Sequence, residues 1–164
     1  MKSIIPRFNA QRMVMEYVRD YYALARQQRL VMMGKDYTRA RELAPWRRKV
    51  EQCWPKIHLR LIDPPPAQIN AGQHLSLRVA AFLNGLAADD VLVECLVGVD
   101  DDNGDFITRD RQVFTAESVK SGDETLFHLN LEPRLPGLQY YKVRLYPFHP
   151  ALAHRFQAGL MLWL

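Results

Sequence analysis

Apolar and polar positions follow two different periods along this chain of 164 residues. Up to about residue 56, apolar side chains recur every three or four positions, as on one face of an α-helix. From residue 57 onward they alternate with polar side chains, as on strands that have one buried and one solvated face. This change of period predicts an α+β protein, with a helical arm over residues 1–56 followed by an antiparallel, immunoglobulin-like β-sandwich over residues 57–164.

The helical arm is expected to contain three helices. Asn9 is a residue type that caps helix N-termini, and Gly34 is a C-cap residue type. A second helix would then begin at Asp36. Pro45 either kinks that second helix or begins a third, and the third helix is the preferred interpretation because proline is favoured at the first position of a helix. The third helix should end before Pro55, since the residue before a proline avoids the helical region.

One face of the arm carries an aromatic and aliphatic stripe that is unusual in so polar a segment. The candidate interface residues on this stripe are Phe8, Met13, Tyr17, Val18 and Tyr21. Two arrangements remain open from the pattern alone. The helices pack on each other and on the β domain, or the stripe forms an interface with protein that this chain does not contain.

The β domain is expected to contain seven strands, because alternating runs are separated by turn dipeptides such as Asn84-Gly85 and Asn103-Gly104. The runs cover residues 57–62, 75–83, 91–99, 106–114, 125–131, 141–146 and a last strand within 160–163. The alternation predicts eight inward-facing side chains: Leu77, Val79, Val93, Cys95, Phe127, Leu129, Val143 and Leu145.

A further pattern favours the immunoglobulin-like class of sandwich. The segment Leu135-Pro136-Gly137 precedes two tyrosines, and this order is similar to the corner before strand F in such domains. There a tyrosine hydroxyl bonds back to the preceding loop. Because Tyr141 has the parity of the core side, the corner is assigned to Tyr140.

Charge divides at the same boundary as the hydrophobic period. Residues 1–56 carry 13 Lys and Arg against 5 Asp and Glu, a net charge of +8, whereas residues 57–164 carry 9 against 13, a net charge of −4. The basic residues of the arm face several directions and accompany no nucleic-acid-binding motif, so a nucleic-acid partner is not expected.

The sequence offers no constellation typical of an active site or a metal site. The two cysteines, Cys53 and Cys95, form no CxxC pair and are expected to be reduced core thiols. The acidic run Asp100–Asp105 lacks the ligand spacing of a calcium loop and is expected to be a solvated hairpin tip, with a weak cation site as the alternative. No signal peptide and no apolar run of about 18 residues occurs, so we expect a soluble, cytoplasmic protein without a membrane partner.

Five segments of the chain carry a resemblance to a known family. The segment MKSIIPRFNAQRMVMEYVRDYY, residues 1–22, resembles the end of the catalytic region of bacterial and archaeal α-glucan (glycogen/maltodextrin) phosphorylases. The segment LAPWRRKVEQCWPKI resembles another part of that family through Leu43, Ala44, Trp46, Val50, Trp54 and Pro55. The pieces VLVECLVGVDD, GLQYYKVRLYPFHPAL and AGLMLWL resemble its closing β region.

The resemblance implies an enzyme with two Rossmann-like halves and a pyridoxal phosphate bound to a lysine of the second half. In that family, inorganic phosphate and the cofactor's phosphate release glucose 1-phosphate from the non-reducing end of an α-1,4-glucan. The lysine motif, the phosphate-binding residues and the glucan cleft would lie upstream of Met1. We therefore expect this chain to be a non-catalytic C-terminal fragment, with no catalytic, cofactor-binding or metal-binding residue of its own.

The implied partner is the catalytic region of the same phosphorylase, on which the arm would dock. Self-association through the arm is an alternative way to cover the same apolar stripe. A carbohydrate-binding β-sandwich with weak affinity for α-glucan is a second functional class, for which the sequence offers the outward aromatic residues Tyr140, Tyr146 and Phe148.

Overall fold

The computed structural model describes residues 9–64, 66, 68–70, 73–132 and 137–164. Its N-terminal part is almost entirely helical and has four consecutive elements. These are helix α1 (Ala10–Tyr17), a π-helical turn (Val18–Tyr22), helix α2 (Ala23–Cys53) and a 3₁₀ turn (Trp54–Lys56). The helical arm of the sequence analysis is therefore present, and it continues directly into the first strand.

The start of the arm agrees with the sequence, but its division into three helices is wrong. Asn9 caps α1, and its side-chain oxygen accepts a hydrogen bond from the Arg12 backbone N–H at 2.7 Å. Gly34 does not end a helix, because α2 runs through it. The irregularity lies slightly further along, at Asp36 and Tyr37, whose φ angles are 56° and 60°.

Pro45 lies inside α2, so of the two alternatives the proline within a continuing helix is correct and the new helix at Pro45 is wrong. A proline inside a helix removes one backbone hydrogen bond and costs about 3 kcal/mol. The residues directly after it offset that cost, because Trp46 and Val50 are 9% and 1% exposed and belong to the hydrophobic core. Tertiary burial thus holds the helix through a residue that usually starts or breaks one.

The described part of the β domain forms eight strands rather than the predicted seven. Thr115–Ser121 was missed because its sequence, TAESVKS, has little apolar alternation. The strands are β1 (His58–Leu61), β2 (Leu75–Phe82), β3 (Val91–Asp100), β4 (Phe106–Val113), β5 (Thr115–Ser121), β6 (Glu124–Leu131), β7 (Tyr140–Pro147) and β8 (Leu162–Trp163).

The strands form two antiparallel sheets of four strands each. The first has the order β1-β2-β6-β5, and the second has the order β4-β3-β7-β8. In the first sheet Leu77 pairs with Leu129, and in the second Val93 pairs with Leu145. The fold is therefore α+β, as predicted. Of the corner proposed before Tyr140, Leu135 and Pro136 lie outside the described residues.

One hydrophobic core joins the two sheets and the end of the arm. Its members come from β2, β3, β6 and β7 together with Trp46 and Val50 of α2. All the predicted inward-facing side chains are buried, which confirms the strand parity read from the alternation: Leu77, Val79, Val93, Cys95, Phe127, Leu129, Val143 and Leu145.

Gly98 marks a close approach between β3 and β4. The register of this pair shifts between Val97 and Gly98, as at a β-bulge. A Cβ atom placed on Gly98 would lie 2.2 Å from the backbone oxygen of Ile107 and 2.8 Å from the ring of Phe106. Because a backbone oxygen cannot turn aside as a side chain can, only glycine fits here without moving β4.

We expect Gly98→Ala to lower the free energy of unfolding by about 1–3 kcal/mol, the usual cost of overpacking. Gly34→Ala is the matched control, because a Cβ at that helical position meets nothing within 4 Å. The control should be neutral or stabilising by up to about 1 kcal/mol, since alanine favours helix over glycine. Urea unfolding of both variants measures the difference, and an equally stable Gly98→Ala protein would contradict the proposed contact.

Candidate functional site

The N-terminal half of the arm presents an open apolar surface. Met13, Tyr17, Val18 and Tyr21 are 48%, 46%, 49% and 65% exposed, and Phe8 lies outside the described residues. All of α1 and the π-helical turn is described, and none of its residues is buried. The candidate interface residues that can be placed are thus exposed together on one continuous helical segment.

This surface extends well beyond the residues singled out from the sequence. Most of the large hydrophobic side chains described as exposed belong to residues 13–37. The rings of Tyr17 and Tyr21 contact each other edge to face, with centroids 6.0 Å apart. We call the exposed apolar residues of this stretch the arm face: Met13, Val14, Met15, Tyr17, Val18, Tyr21, Tyr22, Leu24, Leu30, Val31, Met33 and Tyr37.

The C-terminal half of the arm is attached to the β domain. The Trp46 indole N–H donates to the Asp90 carboxylate at 2.9 Å, and the Trp46 ring lies 5.0 Å from the ring of His149. Further along, the Asn84 side chain donates to the carbonyl of Cys53 at 2.9 Å. Of the two arrangements left open by the sequence, packing on the β domain therefore holds for this half of the arm.

The attachment reaches back along α2 to Gln28. Its side-chain amide donates to the carbonyl of Ala151 at 2.7 Å. An open cleft of about 620 Å³ lies between α2 and the segment after β7, and its lining includes Val31, Glu42 and His149. Most of the arm face therefore precedes the part of the arm that the β domain holds.

A cluster of charged side chains lies on the outer surface of the second sheet. Glu94 of β3 is fully buried, and it pairs across the sheet with Arg144 of β7, which is 7% exposed. Arg144 Nε donates to Glu94 Oε2 at 2.6 Å. The other carboxylate oxygen, Oε1, lies 2.9 Å from Arg155 Nη1 and 3.5 Å from Arg111 Nε. We call these four residues the Glu94 cluster.

Aromatic rings enclose the buried arginine of this cluster. The Arg144 guanidinium carbon lies 4.8 Å from the ring centre of Phe156, 5.4 Å from that of Trp163 and 5.7 Å from that of Tyr146. These distances are typical of cation–π contacts. Burial raises the pKa of the Tyr146 hydroxyl, and the Glu94 carboxylate acts in the same direction.

The sequence pattern did not indicate the Glu94 cluster. Glu94 and Arg144 each appeared as an ordinary polar residue on the outer side of an alternating strand. Nothing in the local pattern shows that β3 and β7 are neighbours, or that the segment containing Arg155 and Phe156 folds over them. The only available signal was a lone charge between hydrophobic residues in each strand.

The expected thiols and metal positions can also be placed. Cys53 and Cys95 are both free, and burial raises the pKa of the Cys95 thiol to about 12.

At the predicted hairpin tip, Asp101 Oδ1 accepts hydrogen bonds from the backbone N–H groups of Asn103 and Asp105. Within the described ranges, no group of three His, Cys, Asp or Glu side chains could hold a metal ion. Over the same residues, the helices include none that is long and apolar enough to cross a membrane.

Comparison with known proteins covers nearly the whole chain. Residues 54–164 match the family model described as the glycogen phosphorylase C-terminal domain. The chain belongs to this family. No solved structure gives a significant match.

The relatives of this glycogen phosphorylase C-terminal domain are much longer proteins. Glycogen phosphorylase of Mycobacterium bovis is 34% identical over 164 residues, which cover 98% of this chain and 19% of the relative. Glycogen phosphorylase of Mycobacterium tuberculosis gives the same values. Maltodextrin phosphorylase of Thermococcus litoralis is 30% identical over 167 residues, covering 99% of this chain and 19% of the relative. The resemblance to a C-terminal region of such phosphorylases is thus confirmed.

The described lysines of this chain do not fit a pyridoxal phosphate site. Such a site needs a lysine amine enclosed with the cofactor ring. Lys49, Lys56 and Lys142 are the lysines whose side chains are described, and all three are exposed. Lys49 approaches Asp90 at 3.5 Å, and the Lys142 amine lies 4.5 Å from the ring centre of Phe106. We derive no catalytic step through these residues.

We expect Arg144→Met to destabilise the domain, because it removes the buried arginine of the Glu94 cluster and leaves the buried carboxylate with the two exposed arginines, Arg111 and Arg155. Breaking a buried ion pair from one side costs up to about 3–5 kcal/mol, and this is an upper value here because Arg111 and Arg155 still compensate Glu94 in part. The double variant Glu94→Met with Arg144→Met should be more stable than the single variant, since no buried charge is left uncompensated.

Chemical unfolding of the two variants and the parent provides the measurement. Arg109→Met, on an exposed position of β4, is the control and should change stability by less than about 0.5 kcal/mol. A double variant less stable than Arg144→Met alone would contradict this expectation. It would show that Glu94 contributes to the stability of the domain even without Arg144.

Proposed function

We propose that this chain is the non-catalytic C-terminal region of an α-glucan phosphorylase and has a structural, interface-forming role. The whole enzyme would cleave α-1,4-glucan with phosphate and release glucose 1-phosphate. The observation that carries the proposal is the position of the arm face. It lies on the N-terminal side of the attached half of α2, and the longer relatives have most of their sequence outside the matched 19%.

The arm face fits a docking role on physical grounds. Soluble monomers rarely leave contiguous apolar patches larger than a few hundred Å² open to water. Tyrosine residues such as Tyr17, Tyr21 and Tyr22 are common at the centres of protein interfaces, because a rigid ring buries much area at a small entropic cost. The proposed partner is therefore the catalytic region of the same phosphorylase, which would also hold the pyridoxal phosphate.

We further propose that the β domain is an immunoglobulin-like sandwich. If β1, β2, β5 and β6 are taken as strands A, B, D and E, the first sheet has the order A-B-E-D. The second sheet then has the order C′-C-F-G. These two orders are those of immunoglobulin-type domains with one added strand at the edge beside C. The single core that contains residues of both sheets supports the same assignment.

The positions of the aromatic side chains support a carbohydrate-binding role less than they support the interface-forming role. Of the aromatic residues offered for it, Tyr140 is 42% exposed, Phe148 is half-buried and Tyr146 is 1% exposed. The ring of Phe156 covers Tyr146, with centroids 5.3 Å apart. Because a sugar ring stacks only on an accessible aromatic face, these three residues do not form a shared platform.

The isolated chain should not catalyse the family's reaction. Incubated with pyridoxal phosphate, maltodextrin and inorganic phosphate, it is expected to release no glucose 1-phosphate, because no described lysine is enclosed. It should also form no imine that borohydride converts into a covalent lysine adduct. Mass spectrometry after reduction detects the adduct, and a single stoichiometric adduct on one lysine would contradict the proposal.

Docking through the arm face can be tested with a split enzyme. Mycobacterium tuberculosis glycogen phosphorylase, shortened to end where its match to this chain begins, would be mixed with the chain. We expect a complex in gel filtration, and Tyr17→Gln with Tyr21→Gln should weaken it by about tenfold or more, as at interface hot spots. Arg26→Gln, an exposed change on the same helix, is the control and should alter binding by less than about twofold.

A competing way to cover the arm face is a second copy of the chain. The +8 charge of residues 1–56 opposes pairing of two arms, whereas the −4 charge of residues 57–164 favours an arm-to-sandwich contact. Sedimentation of the chain alone at high micromolar concentration shows whether it self-associates or remains a monomer.

The split-enzyme experiment has its own contradicting result. If the double tyrosine variant binds the shortened enzyme as well as the parent does, the arm face is not the docking surface.

A further inference from the structure

The Glu94 cluster holds more positive charge than its single carboxylate balances. Glu94 and Arg144 are both buried and together form a neutral pair. Arg155 and Arg111 then add two positive charges at the same place, so three arginines surround the one carboxylate of the cluster. This excess of charge is independent of the arm face and of the docking proposed for it.

The side chains of Arg155 and Arg111 are neighbours because both contact the same carboxylate oxygen of Glu94. Arg155 Nη1 and Arg111 Nε both approach Glu94 Oε1, at 2.9 Å and 3.5 Å. Like charges held this close repel each other, and one carboxylate oxygen already engaged with a third arginine compensates them only in part. An additional anion bound between the two guanidinium groups would relieve that repulsion.

The same two side chains remain accessible. The side chains of Arg155 and Arg111 are 45% and 43% exposed, in contrast to 9% for Arg144. Each guanidinium has five N–H donors, and the contacts to Glu94 use only one nitrogen of each. Several donors of both groups are therefore available on the solvent side of the cluster.

The cluster is also held in place before any ligand arrives. Glu94 and Arg144 are cross-strand partners in the centre of the second sheet, where β3 and β7 lie between the edge strands. The rings of Phe156 and Trp163 contact the buried Arg144 guanidinium, and both rings are themselves partly exposed, at 39% and 53%. The two accessible arginines therefore lie beside a fixed aromatic surface.

We propose that Arg111 and Arg155 bind a phosphate-type oxyanion on the outer surface of the second sheet. The planar guanidinium fork matches the oxygen spacing of phosphate and can bind it through two parallel hydrogen bonds. Two surplus positive charges suit a dianion better than a monoanion. The anion is inorganic phosphate or the phosphoryl group of a phosphorylated sugar, whose ring would then lie against Phe156 or Trp163.

The test is titration calorimetry of the full chain with inorganic phosphate, at constant ionic strength maintained with chloride. We expect saturable binding of one phosphate per chain, and a rise in the unfolding temperature as phosphate replaces chloride. Arg111→Gln with Arg155→Gln should reduce the affinity by about tenfold or more, because charge-assisted hydrogen bonds are lost. These substitutions leave Glu94 paired with Arg144, so the fold should be retained.

Arg109→Gln is the matched control, since it removes the same charge two residues away on the same strand. It should change the phosphate affinity by less than about twofold. If the double variant fails to fold in chloride, Arg155→Lys replaces it. This change keeps the charge but removes the fork, and should also weaken binding.

Two results would overturn the proposal. One is a phosphate titration that shows no saturable binding beyond the effect of chloride, and the other is equal affinity of parent and double variant. Parallel titration with a hexose phosphate identifies the source of the anion. Tighter binding than inorganic phosphate, lost in Trp163→Ala, assigns the site to a phosphorylated sugar, whereas equal binding assigns it to free phosphate.

Discussion

Trp46 and Val50 insert from the end of a long helix into the core that the two β-sheets share, and the arrangement of the arm depends on this insertion. Trp46 is held further by its hydrogen bond to Asp90 and by contact with His149. With these residues anchored, α2 continues through Pro45 despite the lost backbone hydrogen bond. The helix then extends away from the anchor toward the exposed residues of the arm face.

The two halves of the arm consequently differ in their surroundings, although both are helical. Its C-terminal half contributes to the core of the β domain, and its N-terminal half has apolar side chains with no cover within the described part of the chain. A helix this long gains most of its stability from tertiary burial. The exposed half is the surface that we propose for docking, with the preceding part of a longer phosphorylase as the proposed partner.

The second sheet is organised around a buried charge rather than around hydrophobic contact alone. A fully buried carboxylate is costly unless it is paired, and Glu94 meets three arginines from three different parts of the chain. Arg155 thereby ties the segment after β7 to the sheet surface, where Phe156 covers Tyr146. In the same arrangement Arg111 and Arg155 each contact Glu94 through one nitrogen, and their other N–H groups are the donors of the proposed anion site. The Glu94 cluster thus fixes the sheet surface and forms the proposed site.

The sequence alone determined the features that depend on local spacing. Alternation identified eight of the core residues of the sheets, because strand parity forces every second side chain to the same face. The Asn9 cap followed from residue type and the family from the linear order of residues. Tertiary structure alone decided the continuity of α2 through Pro45, since burial of Trp46 and Val50 outweighs the local signal for a helix start. It also decided the pairing of Glu94 with Arg144, Arg155 and Arg111, because contacts between residues distant in sequence are set by strand order and not by any periodicity.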